Sequence, residues 1–253
     1  MNKPVTIAVA SIAGAVLLAG CSSSSTKGKG TTTPASTPNS STSSTPGAGN
    51  SSVSAPELEK KVVAATQAAT SLHLVGTGAG DGGKPVAFDI HFGPHKTAGS
   101  ITQNNQPIKL INPGGASVYF QADDSLWKQV GGAAAVSMFH GKWVKVAAND
   151  KRFADLSSSF DKDSLLGGMF SDDSGDLQVV GPSTVDGTAA IEYRDADHNE
   201  LYVAATGKPV LLKLVDLSND GGTLTFSDYD KPYSFSPPPA SQTVDFSKVE
   251  SGN

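Results

Sequence analysis

Between Val86 and Phe92 the chain alternates, with Val86, Phe88, Ile90 and Phe92 on one side and Ala87, Asp89 and His91 on the other. A period of two predicts a strand with one greasy and one wet face, in an antiparallel sheet covered on a single side. Just upstream the period is helical. Leu58, Val62, Ala65 and Ala69 recur at i, i+4, i+7 and i+11 behind Ser54-Ala55-Pro56-Glu57, which has capping-box spacing with Pro in the first turn. This predicts a helix of about four turns ending near Thr70. Strands follow over Ser71 to Thr77, Thr97 to Gln103, Pro107 to Ile111 and Ser117 to Gln121. Gly80-Asp81-Gly82-Gly83, Gly93-Pro94-His95, Asn104-Asn105 and Asn112-Pro113-Gly114-Gly115 are the turns between them.

The pattern then changes. Ser125 to Phe139 reads as a helical or irregular excursion stopped by Gly141, and Lys142 to Val146 as a short strand. Phe153, Leu156 and Phe160, then Leu165, Leu166, Met169 and Phe170, predict two short helices, the second with Asp163 as its N-cap. Asp172 to Asp176 is a solvated loop. Strands return at Leu177 to Val180, which Gly181-Pro182 should break, and at Thr188 to Arg194, with Ile191 and Tyr193 on one side. Leu201 to Ala205, Val210 to Leu217 and Thr223 to Tyr229 complete a second meander. Pro237-Pro238-Pro239 cannot extend a central strand and should leave the tail extended along a surface. The expected fold class is α+β: one curved antiparallel sheet whose apolar face is covered by the helices.

The first 52 residues are of another kind. An apolar run from Val5 to Leu18, preceded by Lys3, ends in Leu18-Ala19-Gly20-Cys21. About 20 apolar residues are needed to span a bilayer, so the run is a signal rather than a membrane helix. With Cys directly after the small residues, it resembles the lipobox of bacterial lipoproteins. That resemblance implies cleavage before Cys21, a diacylglyceryl thioether on its sulfur and often a further acyl chain, such as palmitate, on the new amino terminus. Two chains anchor stably where one binds marginally. Residues 21–52 are almost wholly Ser, Thr, Gly, Pro and Asn and cannot bury enough surface to offset their ordering entropy. They form a tether with a reach of roughly 30 Å. Its Thr-Pro pairs offer sites for O-linked sugar or serve as an unmodified spacer. The chain thus divides into a signal peptide (1–20), the tether (21–52) and a single domain (53–250), placed on the outer face of a bacterial plasma membrane.

Composition excludes more than it identifies. A net charge of −5 argues against nucleic acid and against docking on anionic headgroups. The single Cys is spent on lipid, leaving no disulfide, so the domain rests on its hydrophobic core. His91 and His95 have helical metal-ligand spacing, but Gly93-Pro94 between them removes the helix. The Asp clusters lack the Gly and distal Glu of a calcium loop. No nucleophile elbow, P-loop or dinucleotide fingerprint is present. The expectation is a monomer that is not an enzyme and uses no cofactor and no metal.

Three stretches in this order are similar to the LppX/LprG-type lipoproteins of actinobacteria, with their LolA-like fold. They are Thr70 to Leu74 after the first helix, Gly141 to Val146 before the short helices, and Asn199 to Val203 leading into Gly207-Lys208-Pro209-Val210-Leu211-Leu212. Phe226-Ser227-Asp228-Tyr229 with its Pro-rich exit also matches. The resemblance implies a half-barrel sheet around helices, with a hydrophobic cavity that in some members holds acyl chains of envelope lipids or lipoglycans. Candidate lining residues are Val86, Phe88, Ile90, Phe92, Val118 and Phe120 from the sheet. From the helical cover they are Phe153, Leu156, Leu165, Leu166, Met169 and Phe170. Each is equally an ordinary core position. Gly167-Gly168 makes the second short helix either a movable gate or one that ends early. Two functions follow: a lipid binder or carrier, or an interaction or sensory lipoprotein with a filled core.

Overall fold

The computed structural model describes residues 55–79, 84–169, 177–195, 198–217 and 221–250. The predicted signal peptide, Cys21, the tether, the Ser54 cap and the loop at 172–176 lie outside the described residues.

Helix α1 (Ala55–Gln67) buries Leu58 and Val62 along the predicted stripe. Strands β1 (Leu72–Ala79), β2 (Pro85–Gly93), β3 (Lys96–Gln103), β4 (Gln106–Asn112) and β5 (Ser117–Ala122) follow as an antiparallel meander. In β2 the alternation buries Val86, Phe88, Ile90 and Phe92 as expected. Asn104 and Asn105 both take positive φ, the backbone of a two-residue hairpin whose twist matches its strands. Helix α2 (Asp124–Phe139) is capped by Asp123, whose carboxylate accepts from the Leu126 N–H, and it kinks at Gly132. Strand β6 (Trp143–Ala147) pairs with β5. A 3-10 turn (Lys151–Phe153) then leads into α3 (Ala154–Ser158) and α4 (Lys162–Met169).

Three local expectations are corrected. The cap of α4 is Asp161, not Asp163: the Asp161 carboxylate accepts from the Ser164 N–H at 2.8 Å, while Asp163 sits inside the first turn. Gly181-Pro182 does not break its strand. Strand β7 (Gln178–Val185) runs through it with a bulge between Val179 and Gly181. Because β7 is the outermost strand, a missing proline N–H costs it no ladder bond on the open side. The tail is not simply extended either. After the prolines, β12 (Thr243–Asp245) pairs in parallel with β6, and a short helix α5 (Phe246–Glu250) closes the described chain.

Strands β8 (Thr188–Arg194), β9 (Glu200–Ala204), β10 (Leu211–Val215) and β11 (Thr223–Ser227) form the second meander, and β11 returns to pair with β1. All the described strands join one open 12-stranded sheet in the order β12-β6-β5-β4-β3-β2-β1-β11-β10-β9-β8-β7. Among the described strands, only the β12–β6 pair is parallel.

A flat sheet of this size would be about 50 Å across. Yet side chains from β6 at one end and from β8 at the other belong to a single contiguous core with the helices. The sheet therefore curls, as large twisted sheets do. Glycines permit the close strand contacts this requires. A Cβ on Gly76 of β1 would lie 2.0 Å from the Thr223 carbonyl oxygen, and one on Gly99 of β3 would lie 2.3 Å from that of Asp89. The result is a half-barrel with its helices on the concave face.

Candidate functional site

The concave face is built by period two. Leu72 and Leu74 on β1, Val118 and Phe120 on β5, Val144 and Val146 on β6, and Leu224 and Phe226 on β11 all point into it. Of the sequence-predicted lining, Val86, Phe88, Ile90, Phe92, Val118, Phe120, Phe153, Leu156 and Leu166 come together in this core at 0–6% exposure. Leu165 is half-buried and packs against it. Met169 ends α4 and its side chain lies outside the description, as does Phe170 altogether. Helix α4 continues through Gly167-Gly168 to Met169, so those glycines do not end it early.

At the β5–β6 end the core is aromatic. Phe120 touches Trp127 of α2 and Phe153, with ring centroids 5.7 and 5.1 Å away. Phe153 meets Phe246 of α5 edge to face at 5.2 Å, and Trp127 meets Phe139 at 4.8 Å. The Trp127 indole N–H donates to the Ala122 carbonyl, so the buried ring keeps its one polar atom satisfied.

The cover is fastened at one point by charge. Lys162, first residue of α4, donates its ammonium to the carbonyls of Gln67 and Ala69 at 2.6 Å each. The Gln67 carbonyl ends α1 and the Ala69 carbonyl lies just beyond it, where helical carbonyls lack partners and a cation is favoured. Thr66 on the same helix is buried, and its hydroxyl accepts from the Leu211 N–H. Tyr229 donates its hydroxyl to the Leu211 carbonyl, and burial raises its pKa well above the usual phenol value.

The sequence pattern places the lining in the first meander and the short helices. It misses that Tyr193, Leu201, Val203 and Leu211 of the second meander belong to the same surface. Their alternation is readable, but not which side of those strands faces the helices. The far side of β8–β10 has its own small apolar cluster of Val185, Ala190, Ala204, Val210 and Leu212. A cleft of about 510 Å³ opens there, with Val185, Ala204, Val210 and Leu212 as its walls and Lys208 and Asp230 on its rim. The Asp230 carboxylate is held down at about 2 by the Lys208 ammonium 2.7 Å away and by the backbone N–H and hydroxyl of Thr70.

On the wet face of the first meander, His73 and Asp89 are hydrogen-bonded at 2.8 Å and the rings of His73 and His91 are stacked 3.8 Å apart. Partial burial and the neighbouring His73 lower the pKa of His91, against the pull of Asp89 and Asp228.

No protein-family model and no curated protein matches the chain. Among solved structures it is similar to LprF from Mycobacterium bovis, at 14% identity and a TM-score of 0.46, over 74% of this chain and 99% of that one. An uncharacterised conserved protein from Thermus thermophilus is similar at 13% identity and a TM-score of 0.32, over 76% and 98% of the two chains. A chain of the Pseudomonas aeruginosa MucA/MucB complex is similar at 14% identity and a TM-score of 0.28, over 74% of this chain and 59% of that one. With TM-scores below 0.5, it is this chain's own strand order that establishes the half-barrel.

Proposed function

We propose that this chain is a lipoprotein of the bacterial cell envelope, held by lipid on Cys21 at the outer face of the plasma membrane. Its half-barrel takes up the acyl chains of envelope lipids or lipoglycans between sheet and helices. It acts as a monomer, binds and releases cargo, and performs no covalent step. The observation that carries this reading is the cover of the apolar face. A contiguous greasy surface spans strands from β6 to β8, yet part of its lid consists of helices of only 5 and 8 residues. Such short helices have little stability of their own and depend on the surface beneath them. An acyl chain that displaces α3 and α4 and hides a few hundred Å² would contribute several kcal/mol gross, at about 25 cal/mol per Å².

A second reading has its own support. Nine of the described lining residues join a single cluster at 0–6% exposure, with Leu165 half-buried against it, as in a filled core. The domain would then be an interaction or sensory module on a tether. Native mass spectrometry of the mature protein, extracted from its own membranes in mild detergent, separates the two. A bound mass in the range of acylated lipid, lost on delipidation and regained on mixing with membrane extract, supports the carrier. A single apo mass throughout, with no uptake of a fluorescent fatty acid, refutes it and leaves the filled-core module.

A further inference from the structure

The wet face of the sheet carries a group of side chains for which the lipid reading has no use. We propose that His73, Asp89 and His91 form a site for one borderline transition-metal ion, of the class of Zn²⁺, Cu²⁺ or Ni²⁺.

His73 on β1 lies directly opposite His91 on β2, and Asp89 lies opposite Val75 on the same ladder. Period two puts His73, Asp89 and His91 on the face away from the core. Each offers one ligand atom, and the three atoms lie within 4.8 Å of one another. The His73 Nε2 to Asp89 Oδ1 distance is 2.8 Å. Donors around a tetrahedral ion bound at about 2.0–2.1 Å are separated by about 3.3 Å, so these three span the required size.

Both strands sit in the interior of the sheet, β1 between β2 and β11 and β2 between β1 and β3. The Cα positions are thus held by ladders on both sides, as a preorganised site needs. The His73 side chain is 21% exposed and that of Asp89 61%, so an ion has an open approach and room to keep a water as a further ligand. Tyr233 packs edge-on against His91 with ring centroids 4.9 Å apart, and its hydroxyl donates to Asp228 at 3.0 Å. That ring limits how far the His91 imidazole can turn outward.

Donor type sets the metal class. Two imidazoles and one carboxylate suit borderline ions, whereas calcium and magnesium prefer all-oxygen shells. The geometry also foretells a movement. In the present arrangement the rings are parallel within 12°, so their in-plane lone pairs run side by side. To converge on one ion the imidazoles must rotate about their Cβ–Cγ bonds, a soft torsion, and break the stack.

The test uses the mature, tag-free protein stripped with a chelator. ZnCl₂ is titrated by calorimetry and CoCl₂ by visible absorption. The expected result is one saturable ion per chain and a cobalt d–d spectrum. In NMR the ring signals of His73 and His91 should shift while those of the other three of the five histidines stay in place. His73→Ala and His91→Ala should each weaken zinc binding by about tenfold or more, since even loss of a supporting group costs that much. His95→Ala should bind as the wild type does, and CaCl₂ should produce no saturable heat. His91→Gln, with its melting checked in chelator, separates loss of a ligand from loss of fold. Absence of saturable zinc binding to the wild type overturns the proposal. So does wild-type affinity in His91→Ala or in His91→Gln.

Discussion

Phe153 is the residue on which the helical cover meets both sheet and tail, and Phe153→Ala tests that junction. Its side chain is 6% exposed and packs on Phe120 of β5 at 5.1 Å and on Phe246 of α5 at 5.2 Å. Truncation removes a buried ring and leaves a cavity between three elements, at a cost of about 3–5 kcal/mol. The upper half of that range is expected, because a sheet residue, a helix residue and the curl of the sheet all resist collapse into the gap. Set against a total stability of about 5–15 kcal/mol, the loss is large. In urea, with an m-value of about 2 kcal/mol/M, the midpoint should fall by roughly 2 M. The two tryptophans supply the signal, since Trp127 is buried and lies 5.7 Å from Phe120. Phe153→Leu, which keeps most of the volume, should recover most of the midpoint. A loss below about 1 kcal/mol for the alanine variant would mean that Phe153 does not hold the cover to the sheet.

Other outcomes follow from single contacts. Cys21→Ser should move the protein from the membrane fraction to the medium or leave an unprocessed precursor; a processed protein still partitioning with membranes contradicts the anchor. Lys162→Met should cost about 1.5–3 kcal/mol through the lost bonds to the Gln67 and Ala69 carbonyls and speed amide exchange in α4, and unchanged exchange there would show that the latch is not holding the lid. Gly99→Ala, whose Cβ would press on the Asp89 carbonyl, should cost about 3 kcal/mol, whereas Gly115→Ala, with nothing within 4 Å, should be near neutral; equal thermal midpoints would refute the close-approach account. Asp230 has a folded pKa of about 2, below the unfolded value of about 3.9, so its contribution is present above pH 4 and is lost as pH falls toward 2. Because its side chain is 39% exposed, the contribution is under about 1 kcal/mol. The stability gap between wild type and Asp230→Asn should close over that window, and a gap that persists at pH 2 refutes the assignment.

What the linear chain determines here is local. The alternation from Val86 to Phe92 specifies a one-sided strand because adjacent side chains must point oppositely, whatever lies around them. The stripe through Leu58 and Val62 specifies a helix face for the same kind of reason, and Asn104-Asn105 a tight turn because both residues tolerate positive φ. The candidate core of the first meander is legible on these grounds. The partner of each strand is not. That β11 closes on β1, so that Leu224 and Phe226 share a surface with Leu72 and Leu74, depends on a contact between distant parts of the chain that no local period encodes. Pro182 reads as a breaker because a proline removes one N–H. Only its place on the outer strand makes that loss harmless. The His73–His91 pair sits between these cases. Each residue has a face assigned by its own strand's period, and it takes the folded register of β1 on β2, with Asp89 alongside, to turn three scattered side chains into one group of donors.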